Sequence, residues 1–72
     1  MRFGFMHELK MAVTLGHQVV VQLHDGQMMT GLPKWGSAPD KVQLRTTEGA
    51  VWVQLDEINH VTRIIPFGKS FG

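Results

Sequence analysis

The stretch that most constrains the fold of this chain is Gln18–Leu32, QVVVQLHDGQMMTGL. Two apolar runs flank the dipeptide Asp25-Gly26, and the first of them is rich in valine. Asp-Gly between two such runs is a strong hairpin signal, because both central residues of a type I′ turn need a positive φ. The sequence therefore predicts two antiparallel strands closed by a type I′ turn. We interpret the other segments as elements that pack on this hairpin or extend its sheet.

A short amphipathic helix is predicted before the hairpin. From Phe5 to Leu15 the apolar residues recur at helical spacing, and polar residues occupy the other side. Gly16 follows directly, as expected for a glycine that caps the end of a helix. Because a helix this short is not stable alone, we expect its apolar face to lie on the hairpin.

The sequence after the hairpin predicts three more short strands. Pro33–Asp40 contains two prolines and a glycine, and is predicted to be a loop. Gly31, inside the second strand, indicates a bend or a bulge. Five short antiparallel strands with a bending glycine predict a small, strongly curved barrel. The later strands are expected at Lys41–Arg45, Ala50–Leu55 and His60–Ile65, with a turn at Thr46–Gly49 and a single helical turn within Asp56–Asn59.

The length of the chain allows one domain, because 72 residues bury only a modest core. We predict a mostly β domain with the helix at 5–15, the barrel at 17–65 and a tail at 66–72. The chain has no cysteine, so neither a disulfide nor a Cys-based zinc site stabilises it. Oligomerisation is the remaining common way to stabilise so small a fold. A homo-oligomer is therefore expected.

The charge balance argues against binding through net charge. Seven basic and six acidic side chains give a net charge of +1, so a nucleic-acid contact would need a local basic patch. No apolar run approaches the ~20 residues of a membrane span, and the first residues do not resemble a signal peptide. The sequence therefore predicts a cytoplasmic protein with no membrane contact.

Several of these residues together resemble the Sm-like family, which includes Hfq. The resemblance implies a strongly bent, SH3-like barrel that assembles into a ring through its edge strands, and a role in RNA binding. It covers most of the chain, and most of the matching residues determine the fold. They are the helix 5–15, the run Val19–Gly26, the strand glycine Gly31, Leu44, and the final run His60–Pro66.

The chain departs from the family at the positions that contact RNA. Ser37, Asp40 and Lys41 stand where Sm proteins place an Asp and a Met-Asn pair. Ile58-Asn59 stands where the family has Arg-Gly, or Lys-His in Hfq. The resemblance therefore does not carry over an RNA site. A small inhibitor of the termination factor Rho shares the general barrel pattern, which keeps a protein-binding role open.

Basic residues around an aromatic residue nevertheless predict a possible RNA site, because an aromatic ring beside a cation can stack a base and hold its phosphate. Trp35 follows Lys34 in the predicted loop. The alternative is that Trp35 folds back and plugs one end of the barrel. Arg63 has an alternative too, a surface ion pair with Asp56 or Glu57. The predicted RNA-binding residues are Lys34, Trp35, Lys41, Arg45 and Arg63.

Trp52 is predicted to point outward, because Val51 and Val53 are expected to face the barrel interior. A large exposed aromatic residue marks a partner surface, unless the helix or the tail covers it. Its strand and the last strand would be the open edges of the sheet, which invite pairing with a neighbouring subunit. A protein partner at the Trp52 edge is the alternative to RNA. The predicted oligomer interface is Trp52, Gln54, Val61 and Ile64.

No pattern in the sequence predicts catalysis, a cofactor or a metal. Asp56 and Glu57 are adjacent, so in an extended segment they point in opposite directions and cannot act as an acid/base pair. Ser37 and Ser70 lie in a predicted loop and tail, where a nucleophile is poorly positioned. We therefore expect a binding module and not an enzyme. Three histidines could hold a metal only if they converged in the fold, and their spacing along the chain is not that of a metal-binding motif. They are His17, His24 and His60.

Overall fold

The computed structural model describes residues 4–65 as one helix and one five-stranded antiparallel sheet. The prediction of a mostly β domain with an N-terminal helix is confirmed, and the predicted tail 66–72 lies outside the described residues. The elements are α1 (Met6–Leu15), β1 (Val19–Leu23), β2 (Met28–Trp35), β3 (Lys41–Thr46), β4 (Gly49–Gln54), a 3-10 turn at Leu55–Glu57, and β5 (Ile58–Arg63).

The hairpin of β1 and β2 is confirmed, but the predicted type I′ turn is wrong. Within residues 4–65 only glycines have a positive φ, and in this loop that residue is Gly26, with φ 95°. The Gly26 N–H donates to the Leu23 carbonyl at 3.0 Å, and the Leu23 N–H donates to the Gln27 carbonyl at 2.8 Å. Asp25 keeps a negative φ and accepts from the Gln27 N–H at 2.9 Å. The loop therefore has three residues and ends on a left-handed glycine.

The helix α1 ends as predicted. Gly16 adopts the left-handed conformation, with φ 72°, and its N–H donates to the Ala12 carbonyl. Leu9 and Ala12 are fully buried. The helix lies against β2 of the hairpin and also against β5. Across residues 4–65, no helix has the length and apolar character that crossing a lipid bilayer requires.

The predicted closure into a barrel is wrong, because the sheet is open. The strand order is β4-β3-β2-β1-β5, so β4 and β5 are the two edge strands. The chain leaves β4 through the 3-10 turn, and β5 then pairs with β1 at the far side of the sheet. Each edge strand therefore has a hydrogen-bonded ladder on one side only within the described residues.

β2 belongs to two ladders, and Gly31 lies where it passes from one to the other. Its residues up to Gly31 pair with β1, and those from Leu32 onward pair with β3. A Cβ at Gly31 would lie 2.8 Å from the backbone oxygen of Arg45, so only glycine allows this approach. The sequence signal at Gly31 therefore marks a real feature of the sheet.

The loop predicted at Pro33–Asp40 is wrong at its start, since β2 continues to Trp35. Pro33 is opposite Leu44 in the ladder with β3. Because β2 has a paired neighbour on only one side beyond Gly31, a proline without an N–H can be accommodated there. The irregular segment is therefore the shorter 36–40.

One hydrophobic core lies between α1 and the inward side of the sheet. Strand alternation supplies much of it, since every second residue of β1 is buried, as are Val42 and Leu44 of β3, and β5 adds Ile58 and Val61. Val51 is an exception, because it was predicted to face inward and is 39% exposed on the edge strand β4. The buried residues are Phe5, Leu9, Ala12, Val19, Val21, Leu23, Val42, Leu44, Val53, Leu55, Ile58 and Val61.

We predict that Gly31→Ala destabilises the fold. The added methyl group would meet backbone atoms of Arg45, which cannot rotate away, so we expect the free energy of unfolding to fall by about 1–3 kcal/mol. Urea denaturation at one fixed protein concentration measures the change. Gly4→Ala is the matched control, because nothing lies within 4 Å of a Cβ there. Equal midpoints for the two variants would contradict the packing role of Gly31.

Candidate nucleic-acid interface

β3 separates apolar from polar side chains between Lys41 and Arg45. Val42 and Leu44 are fully buried in the core. The residues that alternate with them lie on the opposite, outward side of the strand, because successive side chains of a strand point to opposite faces. These outward residues are Lys41, Gln43 and Arg45.

The neighbouring strands add to the same outward side. Gln43 has Lys34 of β2 directly opposite on one side and Trp52 of β4 directly opposite on the other. Lys41 and Arg45 are two residues away from Gln43 along β3, so they are diagonal neighbours of Lys34. We call this outward surface the cationic face. Its residues are Leu32, Lys34, Lys41, Gln43, Arg45, Ala50, Trp52 and Gln54.

The cationic face contains three basic side chains and no acidic one. The acids nearest to it along the chain are Asp40, Glu48 and Asp56, which lie just beyond the ends of β3 and β4. A shallow groove of about 390 Å³ adjoins the face beside Arg45, and its lining also has no acid. The structure therefore gathers Lys34, Lys41 and Arg45, which the sequence predicted as RNA-binding residues, on one surface.

Trp52 points outward as predicted, with 50% of its surface exposed. The alternative in which the helix covers it is not seen, since the ring contact found among the described residues is with Gly36, and the alternative in which the tail covers it lies outside those residues. A Cβ built on Gly36 would lie 2.3 Å from Cη2 and 2.7 Å from Cζ3 of the indole. Gly36 directly follows β2, whereas Trp52 is on β4, so the ring reaches across β3. The sequence holds no signal for this contact, which arises only in the folded sheet.

Trp35 is separated from the lysines. It pairs with Val42 at the end of β2, and it lies on the same side of that strand as the buried Pro33. Strand alternation therefore places Trp35 on the core side and Lys34 on the cationic face. The structure does not show the predicted alternative, in which Trp35 folds back from a loop and plugs one end of the barrel, since Trp35 belongs to β2 and is 36% exposed.

Arg63 is also separated from the cationic face. It is opposite the buried Val19 in the β1–β5 ladder, and its Nε donates to Oε1 of Glu8 at 2.9 Å. The predicted ion pair with Asp56 or Glu57 is therefore wrong. The partner is a helix residue, so the ion pair joins α1 to β5.

The residues predicted for an oligomer interface are in different environments. Gln54 is exposed on the edge strand β4. Val61 is buried within its own chain, so only its backbone lies at the β5 edge. Ile64 is 41% exposed just beyond β5, where its N–H donates to the Gln18 carbonyl at 2.8 Å. The interface itself stays a prediction.

Acidic residues gather at the end of the sheet that holds the hairpin loop. Asp25, Asp56 and Glu57 line a cavity of about 240 Å³ together with His24. The loop is held there by the His24 N–H, which donates to the Glu57 carbonyl at 3.0 Å. Asp40 lines a second cavity that also contains Asp56. Within residues 4–65 no group of three or more histidine and acidic side chains is arranged to hold a metal ion.

Comparison with models of known protein families, with curated proteins and with solved structures gave no match for this chain.

We predict that the Glu8–Arg63 ion pair contributes modestly to stability. Glu8 is 42% exposed and Arg63 17%, so solvent screens the attraction between them. A double-mutant cycle with Glu8→Gln and Arg63→Gln should give a coupling free energy of about 0.2–1 kcal/mol. The coupling should shrink as salt is added. Strictly additive effects at low salt would show that this contact does not hold α1 on β5.

Proposed function

We propose that this chain is a non-catalytic, Sm-like module that binds RNA through the cationic face and works as a homo-oligomer in the cytoplasm. The observation that carries the RNA part is the placement of Lys34, Lys41 and Arg45 on one surface without an acid between them. A net charge of only +1 makes such a local patch necessary. The chain has that patch.

The chemistry of the cationic face suits a phosphate backbone. Directly opposite residues on paired strands are about 5 Å apart and diagonal ones about 7–8 Å, so Lys34, Lys41 and Arg45 can engage successive phosphates of one strand. Gln43, between them, offers both a donor and an acceptor. Binding of this kind releases counterions, so it weakens steeply as salt is added.

Assembly through the sheet edges is the second part of the proposal. β4 and β5 each have an unpaired side within the described residues, and exposed apolar side chains accompany both edges. Val51 and Trp52 belong to β4, and Ile64 and Ile65 directly follow β5. When the β4 edge of one subunit pairs with the β5 edge of the next, the subunits form a closed ring if the rotation between neighbours adds up to a full turn. A ring would repeat the cationic face, so that weak contacts add up by avidity.

A protein partner is the competing function. It is favoured by the exposed Val51 and Trp52, because apolar side chains on both faces of an open edge strand suit strand addition by another chain. RNA is the better-supported ligand, since most of the cationic face is polar or charged. An assembled chain that binds no RNA at low salt would leave the protein partner as the function.

We predict that single-stranded RNA binds and that the cations of the face determine the salt dependence. The probe is a fluorescein-labelled oligouridylate of about 12 nucleotides, followed by anisotropy over a range of salt concentrations. Arg45→Gln and Lys34→Gln should each weaken binding. Each should also make the negative slope of log K against log salt shallower by about 0.7 per bound subunit, because one phosphate contact is lost.

The matched control for these variants is Lys10→Gln, which removes the same charge from the exposed side of α1. We expect its affinity and its salt slope to equal those of the unchanged chain. If Lys10→Gln lowers the slope as much as Arg45→Gln does, binding follows net charge and the cationic face is not the site.

We predict that a charge on the β4 edge reduces the oligomer. Val51→Lys places an ammonium group on the edge strand at a position that is already exposed, so the fold should survive while edge pairing is blocked. Light scattering should then give a lower mass than that of the unchanged chain. Gln22→Lys is the control, because Gln22 lies on β1 and is paired there with β2 on one side and with β5 on the other. A monomeric unchanged chain would refute the assembly.

A further inference from the structure

The two tryptophans of the chain differ in what they can offer to a nucleic acid. Trp35 is on the core side of β2, opposite the fully buried Val42. Trp52 is on the cationic face, opposite Gln43, and half of its surface is accessible. An aromatic ring can stack a base only if its face is open to solvent beside the groups that hold the phosphates. Trp35 is 36% exposed, but it is on the side of the sheet away from Lys34, Lys41 and Arg45, so Trp52 meets this requirement and Trp35 does not.

The indole of Trp52 is held in place before any ligand arrives. Its six-membered ring rests on Gly36, where the absence of a Cβ leaves room for Cη2 and Cζ3. A ring that is already ordered loses little conformational freedom on binding, which favours affinity. The φ of Gly36 is not positive, so the backbone there would accept a larger residue. A glycine is therefore needed at position 36 because the indole fills the space that a Cβ would take, and not because of the backbone conformation.

We infer that Trp52, seated on Gly36, is the residue that stacks an unpaired base, and that it makes the cationic face selective for single-stranded RNA over duplex RNA. This inference rests on the proposed function and adds the class of RNA to it. In a duplex both faces of each internal base are already stacked, so the indole has no base to contact. In a single strand a base can turn onto the ring while Lys34, Lys41 and Arg45 hold the flanking phosphates.

Fluorescence of single-tryptophan variants distinguishes the two rings. Trp35→Phe leaves only the emission of Trp52, and Trp52→Phe leaves only that of Trp35. On titration with the same oligouridylate, the emission of Trp52 should be quenched and that of Trp35 should stay unchanged. Quenching of Trp35 alone would overturn the inference while leaving RNA binding itself intact.

Affinity measurements separate stacking from charge. Trp52→Ala should weaken binding of the single strand by about 5- to 100-fold, which is the usual cost of losing one stacked base. The slope of log K against log salt should not change, because no cation is lost. Affinity for a duplex of the same length should not change either. Equal affinity of Trp52→Ala and the unchanged chain for the single strand would overturn the inference.

Gly36→Ala tests whether the contact between Gly36 and the indole matters for binding, and it leaves Trp52 in the chain. The new methyl group would overlap Cη2 and Cζ3 of Trp52, so the indole must move away from Gly36. No charged side chain is changed. We expect weaker binding of the single strand, an unchanged salt slope and an unchanged thermal midpoint. Gly4→Ala is again the control, and it should bind like the unchanged chain.

The remaining outcomes separate this inference from the proposed function. If the unchanged chain binds neither single-stranded nor duplex RNA at low salt, both fail together. If it binds both equally well and Trp52→Ala has no effect, only the inference fails. If Trp52→Ala instead lowers the mass measured by light scattering, Trp52 belongs to a subunit contact, which overturns the inference in favour of the predicted interface.

Discussion

The fold depends on the close approach of β2 and β3 at Gly31. The backbone of β3 comes so near at Arg45 that a single methyl group at Gly31 would meet its carbonyl oxygen. This approach lets β2 leave its ladder with β1 and enter the ladder with β3. The same step fixes the register that places Lys34 opposite Gln43. A glycine that looks purely structural therefore also determines which cations share a surface.

Strand alternation connects the core to the candidate site. In β3 the residues that fill the core, Val42 and Leu44, alternate with those that form the cationic face, so both functions use one strand. A one-residue shift in register would bury Lys41 and Arg45 and expose the two apolar residues. Burial of the core therefore holds the cations outward. The RNA-binding proposal consequently needs no loop to become ordered.

The sequence predicts features that depend on local pattern, and it misses those that depend on contacts between distant residues. The helix cap at Gly16, the hairpin and the outward position of Trp52 all follow from spacing, and the structure confirms them. The start of the Pro33–Asp40 segment is predicted wrongly, because a proline is a loop signal unless its strand has a free side. The contact of Trp52 with Gly36 leaves no trace in the local pattern.

The distribution of charge explains how a nearly neutral chain can have a directed interaction with an anion. Asp25, Asp56 and Glu57 line one cavity, and Asp40 and Asp56 line a neighbouring one together with Gln54 of the cationic face, whereas no acid lies on that face itself. Opposite charges that are separated in this way cancel in the total of +1 but not in the local field. In the proposed function, this field would attract an RNA strand to the cationic face and repel it from the acids. Under that proposal the acids would help to fix where a polyanion approaches, and net charge alone does not reveal this.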